Sequence, residues 1–261
     1  MMVKDTLQGG LIYLTLALFL AAAVALRGKL KPVGRNLWFL GFLAAVASLV
    51  WRAVCTKHPP MQNLFEFFLC MAAFLWPLSW LSRRQTGVDT DFSDALLGLL
   101  ILFPAGFVFS EEVRRLPPAL QSPLFIPHVG SYVAGYVMLA RAALMALPML
   151  RTASSEHQVR QADAASRQTA ALGFVLLTLG LLLGSLWGKV CWGHYWQWDP
   201  KEMWSLATWF VYAGYFHYRL KNGVRHPKAL AVLLLVGLLF VVLTLTWINV
   251  SRMFSGMHTY A

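Results

Sequence analysis

The feature that most constrains this chain is a repeated run of apolar residues. Each run is roughly 17–20 residues long, enough to cross about 30 Å of hydrocarbon as a helix. Eight such segments can be read, at about 9–26, 37–54, 64–81, 92–109, 128–150, 169–187, 203–218 and 229–250. A soluble core cannot absorb so many. Of 261 residues, 58% are hydrophobic and 13% charged, against about 25% charged in soluble domains. The expected fold class is therefore all-α, a polytopic membrane bundle of about eight transmembrane helices. The connections are short, so a single transmembrane domain is expected over residues 1–261. The first run is too long for a signal peptide and has only Lys4, beside Asp5, as a basic start, so it reads as a true span. The loop 151–168 is the most hydrophilic part and is expected to be an exposed helix or a mobile loop.

A net charge of +11 would suggest nucleic acid in a soluble protein. Here the basic residues fall mainly in short loops, which makes them a topology signal. The partner they imply is the lipid bilayer, and no nucleic acid. The loops after spans one, three, five and seven carry Arg27, Lys29, Lys31, Arg35, Arg83, Arg84, Arg151, Arg160, Arg167, Arg219, Lys221, Arg225 and Lys228. The other side carries Lys4, Arg52, Lys57, Arg114, Arg115, Lys189, Lys201 and Arg252, two of them beside Glu111 and Glu112. The bias predicts both termini outside, with residues 187–204 on the outer face.

That outer segment contains Trp192-Gly193-His194-Tyr195-Trp196-Gln197-Trp198-Asp199-Pro200-Lys201-Glu202, flanked by Trp187 and Trp204. It is too polar and too broken by Gly and Pro to continue a membrane helix. Aromatic belts are ordinary at membrane interfaces. A belt does not need Gly193, Asp199 and Pro200 at fixed places among three tryptophans, whereas a flat apolar macrocycle benefits from such a surface. Asp199 and Glu202 sit where a following helix favours carboxylates, and Asp199 suits its N-cap.

Topology also sorts the seven histidines. His58, His128, His194 and His258 lie on or near the outer face, and His157 and His226 in inner loops. Only His217 lies within a span, about 14 residues and roughly 20 Å below Met203. An ionisable residue at that depth is a functional candidate. Ala213 and Gly214 precede it on its own face and leave room for a flat ligand. Helix packing is the other reading. His128 and His258 stand at the outer ends of spans five and eight; two neutral imidazoles suit the axial positions of a haem iron, and each also fits a structural role. Nothing in the spacing makes His194 a ligand. Cys55, Cys70 and Cys191 form no CxxC or CxxCH, so neither a redox pair nor covalent haem attachment to this chain is read.

The segment Trp192–Glu202 resembles the WWD motif of haem-handling proteins of cytochrome c assembly. With Asp-Pro-Lys-Glu, Trp204, Trp209 and His217 following, it is similar to the CcsA/ResC branch. His58-Pro59-Pro60-Met61-Gln62-Asn63-Leu64-Phe65-Glu66 resembles that branch's His-x-Pro-x-x-Asn-Leu-Tyr-Glu, with Phe65 at the tyrosine position. His128-Val129 and Gly256-Met257-His258 match its paired outer histidines. The resemblance covers roughly residue 50 to the end.

It implies that His128 and His258 are axial ligands of haem b on the outer face, and that Trp192, Gly193, Trp196, Trp198, Asp199 and Pro200 form its platform. It implies that His217 is a membrane-embedded ligand completed by a CcsB/ResB-type membrane protein. The implied activity is a cytochrome c synthase, or haem lyase, shared with that partner. Haem is presented to the CxxCH of apocytochrome c, and thiol-reducing proteins act indirectly. The implied location is a bacterial inner membrane or a thylakoid membrane. The main alternative is a haem chaperone of the CcmC type without synthase activity. An electron-transfer cytochrome b would need a second intramembrane histidine, and a structural subunit with an ordinary belt would hold no haem.

Overall fold

A computed structural model describes residues 3–247, so His258 lies outside the described residues. The order is α1 (Leu7–Arg27), α2 (Lys31–Thr56), α3 (Leu64–Thr86), α4 (Asp91–Phe107), α5 (Phe125–Met145), α6 (Glu156–Trp192), α7 (Pro200–Asn222) and α8 (Pro227–Val242), with a π-turn at Leu243–Trp247. Among the described residues there is no strand. This is the polytopic helical membrane protein that hydropathy predicts, and among the described residues each predicted span overlaps a helix. Among the described residues, six stretches are long and apolar enough to cross a membrane by themselves: Leu7–Arg27, Lys31–Thr56, Leu64–Thr86, Phe125–Leu150, Glu156–Trp192 and Pro227–Thr246. Of the other two helices, α4 has 17 residues, and α7 buries the polar side chains Ser205, Thr208, Tyr212 and Tyr215.

Local chemistry sets the helix ends. Thr6, Asn63 and Ser155 each accept a backbone N–H of the first turn, as N-caps do. Gly87 and Gly193 end α3 and α6 in the left-handed region, where only a residue without Cβ sits at no cost. The hydrophilic stretch expected as an exposed helix or mobile loop is helix from Glu156 onward and continuous with the sixth span. Ser155 and Gln158 form a reciprocal capping box that starts it. At 1.5 Å per residue α6 is about 55 Å long, well beyond the hydrocarbon thickness. Its polar first turns therefore extend past the apolar layer.

The chain divides into two compact units, Met1–Gln121 and Ser122–Ala261. The first packs α1–α4 around Phe19, whose ring lies against Trp38 at 4.7 Å. A Cβ on Gly41 or Gly98 would come within 2.5 or 2.8 Å of the same ring, so both glycines make space for it. Arg52 and Glu66 pair at 2.9 Å with almost no exposure. The second unit packs α5 against α6, with α7 and α8 alongside. Here Arg219 near the end of α7 forms a two-pronged ion pair with Asp163 of α6. The loop count assigned Arg219 to topology alone; it also ties two helices together. Arg141 lies inside α5 and is wholly buried, one of its contacts being the Met138 thioether at 3.7 Å.

Candidate functional site

The site is built on a close helix crossing. A Cβ on Gly135 of α5 would stand 3.3 Å from the Gly173 carbonyl oxygen, and one on Gly173 would stand 3.2 Å from that of Gly135. Small residues let two membrane helices approach backbone to backbone. Two turns earlier on α5, His128 meets α6 at Gly180 and Gly184. Its Nδ1 lies 2.9 Å from the Gly180 carbonyl oxygen. Its ring stacks on Trp187 at 5.6 Å and 22°, and meets Tyr132 at 5.2 Å and 86°. A carbonyl only accepts, so the neutral imidazole donates Nδ1–H and carries its lone pair on Nε2. An imidazole fixed in this way by a backbone carbonyl is set up to ligate through the other nitrogen.

The tryptophan segment joins this histidine through Trp187. Trp187 is 2% exposed and packs edge-on to Trp192 at 4.8 Å. The helix ends at Gly193, with φ +83°. The following connection folds back on α6, since a Cβ on Gly188 would come within 3.2 Å of the His194 carbonyl oxygen. Trp196 and Trp198 meet edge-to-face at 5.9 Å. Trp196 Nε1 is buried and has no hydrogen-bond partner. Trp198 is 68% exposed and sits at φ +59°, a conformation that costs a non-glycine residue about 1–2 kcal/mol. Strained backbone of this kind clusters at functional segments.

Asp199 is the N-cap of α7, as its position predicts. It accepts the Lys201 N–H at 2.9 Å. Glu202 completes the box, accepting the N–H groups of Gln197 at 2.8 Å and Asp199 at 3.1 Å. Pro200 takes the first helical position, where its missing N–H costs nothing. Burial pushes the Lys201 ammonium down to about 8, with Asp199 opposing.

The structure thus links His128 to Trp192 through Trp187, and holds Gly193, Trp196, Trp198, Asp199 and Pro200 on one capped connection. His194 is exposed there. His217 stands elsewhere, exposed on α7. Its Nδ1 lies 2.8 Å from the Ala213 carbonyl oxygen, so its Nε2 carries the lone pair by the same argument. A Cβ on Gly214 would meet nothing within 4 Å. The room expected beside His217 exists, and it is open space. Three contributors escaped the sequence reading. Trp187 was read only as a flank, and Gly180 and Gly184 were unremarked in an apolar run; their four-residue spacing before Trp187 was the available signal.

Among the described residues, no three His, Cys, Asp or Glu side chains converge on a possible metal. A histidine beside an aromatic surface instead suits an ion that brings its own equatorial ligands, as haem does. Fold and site together define a helical membrane protein that presents an aromatic, histidine-bearing surface at a helix break. The chain belongs to the cytochrome c assembly protein family, which matches residues 61–258. It is similar to the cytochrome c biogenesis protein CcsA of Parasynechococcus marenigrum, with 30% identity over 292 residues, covering 97% of this chain and 94% of that one. It is also similar to CcsA of Chlamydomonas reinhardtii, with 32% identity over 84% of this chain and 65% of that one. Its fold resembles the solved cytochrome c heme lyase CcmF, with a TM-score of 0.68 and 19% identity, across 94% of this chain and 48% of that one. The chain spans about half the length of that neighbour. Its role lies in cytochrome c maturation.

Proposed function

We propose that this chain binds haem b through His128 and the 192–200 segment and presents it for attachment to apocytochrome c. The observation that carries the proposal is His128 itself, fixed by the Gly180 carbonyl with Nε2 as its lone-pair nitrogen and joined through Trp187 to the tryptophan segment. The residues fit the ligand in kind. Trp198 offers an exposed apolar face. The Trp196 indole N–H is a buried donor without an acceptor, which a propionate carboxylate would satisfy. His258 would supply the second axial nitrogen on the same outer face. His217, with its open flank, would take the inner ligand role together with a CcsB/ResB-type partner. The membrane would be a bacterial inner membrane or a thylakoid, with the tryptophan segment outside.

The covalent step asks little of the protein's own groups. Each substrate thiol adds its S–H across a haem vinyl C=C. A C–S bond forms, the hydrogen ends on the other vinyl carbon, and nothing leaves. No nucleophile from this chain is required. Its contribution is to hold the macrocycle by one edge and by its iron, leaving the vinyl side open to the substrate.

Co-expression with an apocytochrome and a CcsB/ResB-type protein, in a host stripped of its own assembly system, tests this. The expected result is covalent cytochrome c with wild type and none with His128→Ala. If haem copurifies and no covalent product forms with wild type, the chain is a haem chaperone and the attachment role fails.

A further inference from the structure

We propose that Gly180, Gly184 and Trp187 of α6 form a cradle that positions His128, and that Gly184 is the residue on which its orientation depends. This rests on His128 being a haem ligand. Three contacts fix an imidazole completely: one hydrogen bond sets its tautomer, one face sets its plane, and one edge sets its depth. The Gly180 carbonyl oxygen takes the first role at 2.9 Å. The Trp187 ring takes the second, at an interplanar angle of 22°.

Gly184 takes the third. A Cβ there would lie 2.6 Å from Cε1 and 2.9 Å from Nδ1 of His128. Both distances are far inside van der Waals contact, so the ring touches α6 backbone with nothing between. The three residues follow one another at four and three positions along α6, so they share one helical face. Gly180 also accommodates Tyr132, whose ring a Cβ would meet at 2.9 Å, and Tyr132 closes the remaining edge of His128. One turn away, Gly180 packs against the Tyr132 ring and holds α6 close to α5, so the strain falls on the His128 ring. The imidazole has to turn. Turning breaks the bond to Gly180 and swings Nε2 off its line.

The role is positional and should read out at the iron. Gly184→Ala is expected to weaken haem retention by about 10- to 100-fold, the range for loss of an orienting partner. What haem remains should lose its six-coordinate low-spin spectrum and show a high-spin band. Free imidazole should restore the low-spin spectrum, since it reaches the iron without the cradle. Trp187→Phe keeps a stacking face and should retain most of the haem, whereas Trp187→Ala should not. Gly10→Ala, at a helical glycine with nothing within 4 Å, is the control.

The outcomes separate. If His128→Ala leaves the spectrum unchanged, the ligand reading falls and the cradle with it. If His128→Ala abolishes the low-spin spectrum while Gly184→Ala keeps it, the cradle alone is wrong. A Gly184→Ala protein that loses haem but is not rescued by imidazole also overturns the proposal, since positioning is then not what was lost. Melting of each variant without haem distinguishes a folding defect, and a Gly184→Ala protein that melts well below wild type counts against a purely positional role.

Discussion

Two connections in this protein have the same plan and opposite characters. Residues 57–63 join α2 to α3, and residues 193–199 join α6 to α7. Each opens on a left-handed residue, Lys57 at φ +58° and Gly193 at φ +83°. Each closes on a side-chain N-cap, Asn63 or Asp199, with a glutamate three residues later. Glu66 accepts the Gln62 N–H at 2.8 Å, much as Glu202 accepts that of Gln197. The difference lies in what surrounds the caps. Glu66 is buried against Arg52, whose other nitrogens donate to the Glu111 and Glu112 carbonyls at 2.5 and 3.0 Å. The Glu202 carboxylate closes its own loop through two backbone N–H groups, and the middle of that loop is tryptophan, with Trp198 turned outward. Similar cap chemistry thus supports a locked joint in one place and an outward-facing aromatic loop in the other. The caps fix where a connection starts and stops; the buried charge or exposed ring decides what it is for.

The largest effect expected from this contrast is in the first connection. Glu66→Ala leaves the Arg52 guanidinium buried without its carboxylate and should cost about 3–5 kcal/mol. Glu202→Ala removes cap bonds only and should cost about 0.5–2 kcal/mol. Thermal unfolding in detergent measures both, and equal losses would erase the distinction.

The next effect runs in opposite directions for stability and function. Trp198→Gly relieves a left-handed backbone and should stabilise the haem-free protein by about 1–2 kcal/mol while lowering haem content. Lys57→Gly should give similar relief with haem content unchanged. A Trp198→Gly protein that is both less stable and fully haem-loaded would make Trp198 a packing residue.

The last expected effect is a pH dependence. The Lys201 ammonium titrates at about 8 in the folded chain, below the usual lysine value near 10.4. Between those values the unfolded chain holds more protons, so stability should rise as pH rises through that window. The penalty is fully present below about pH 8. Lys201→Met should flatten the slope in that range, and an unchanged slope would assign it to other groups.

Much of this is legible in the amino-acid sequence. Apolar length alone placed eight helices, because crossing hydrocarbon is a demand each segment meets by itself. Asp199 announced its cap, and Gly193 broke the sixth helix, because both act within a few residues of themselves. The capping box at Ser155 and Gln158 was equally local, and shows that the polar stretch after it could have been read as helix. Arg141 is the counterexample. A single charge within span five adds little to an average hydropathy and belongs to no loop, so counting loop charges passed it by. Glu66 looked like one letter of a motif, and only its burial against Arg52 shows what it does.

The sequence by itself determined the membrane class, the helix ends and the residue types available at the tryptophan segment, since hydropathy and capping are local. Tertiary structure decided which nitrogen of His128 carries the lone pair, that Trp187 links it to Trp192, that Trp198 faces outward and that His217 stands on an open flank. The first two depend on a carbonyl and a ring that meet His128 from more than fifty residues away in the chain. The approach of α5 to α6 over Gly135 and Gly173 brings His128 within contact distance of Gly180 and Trp187.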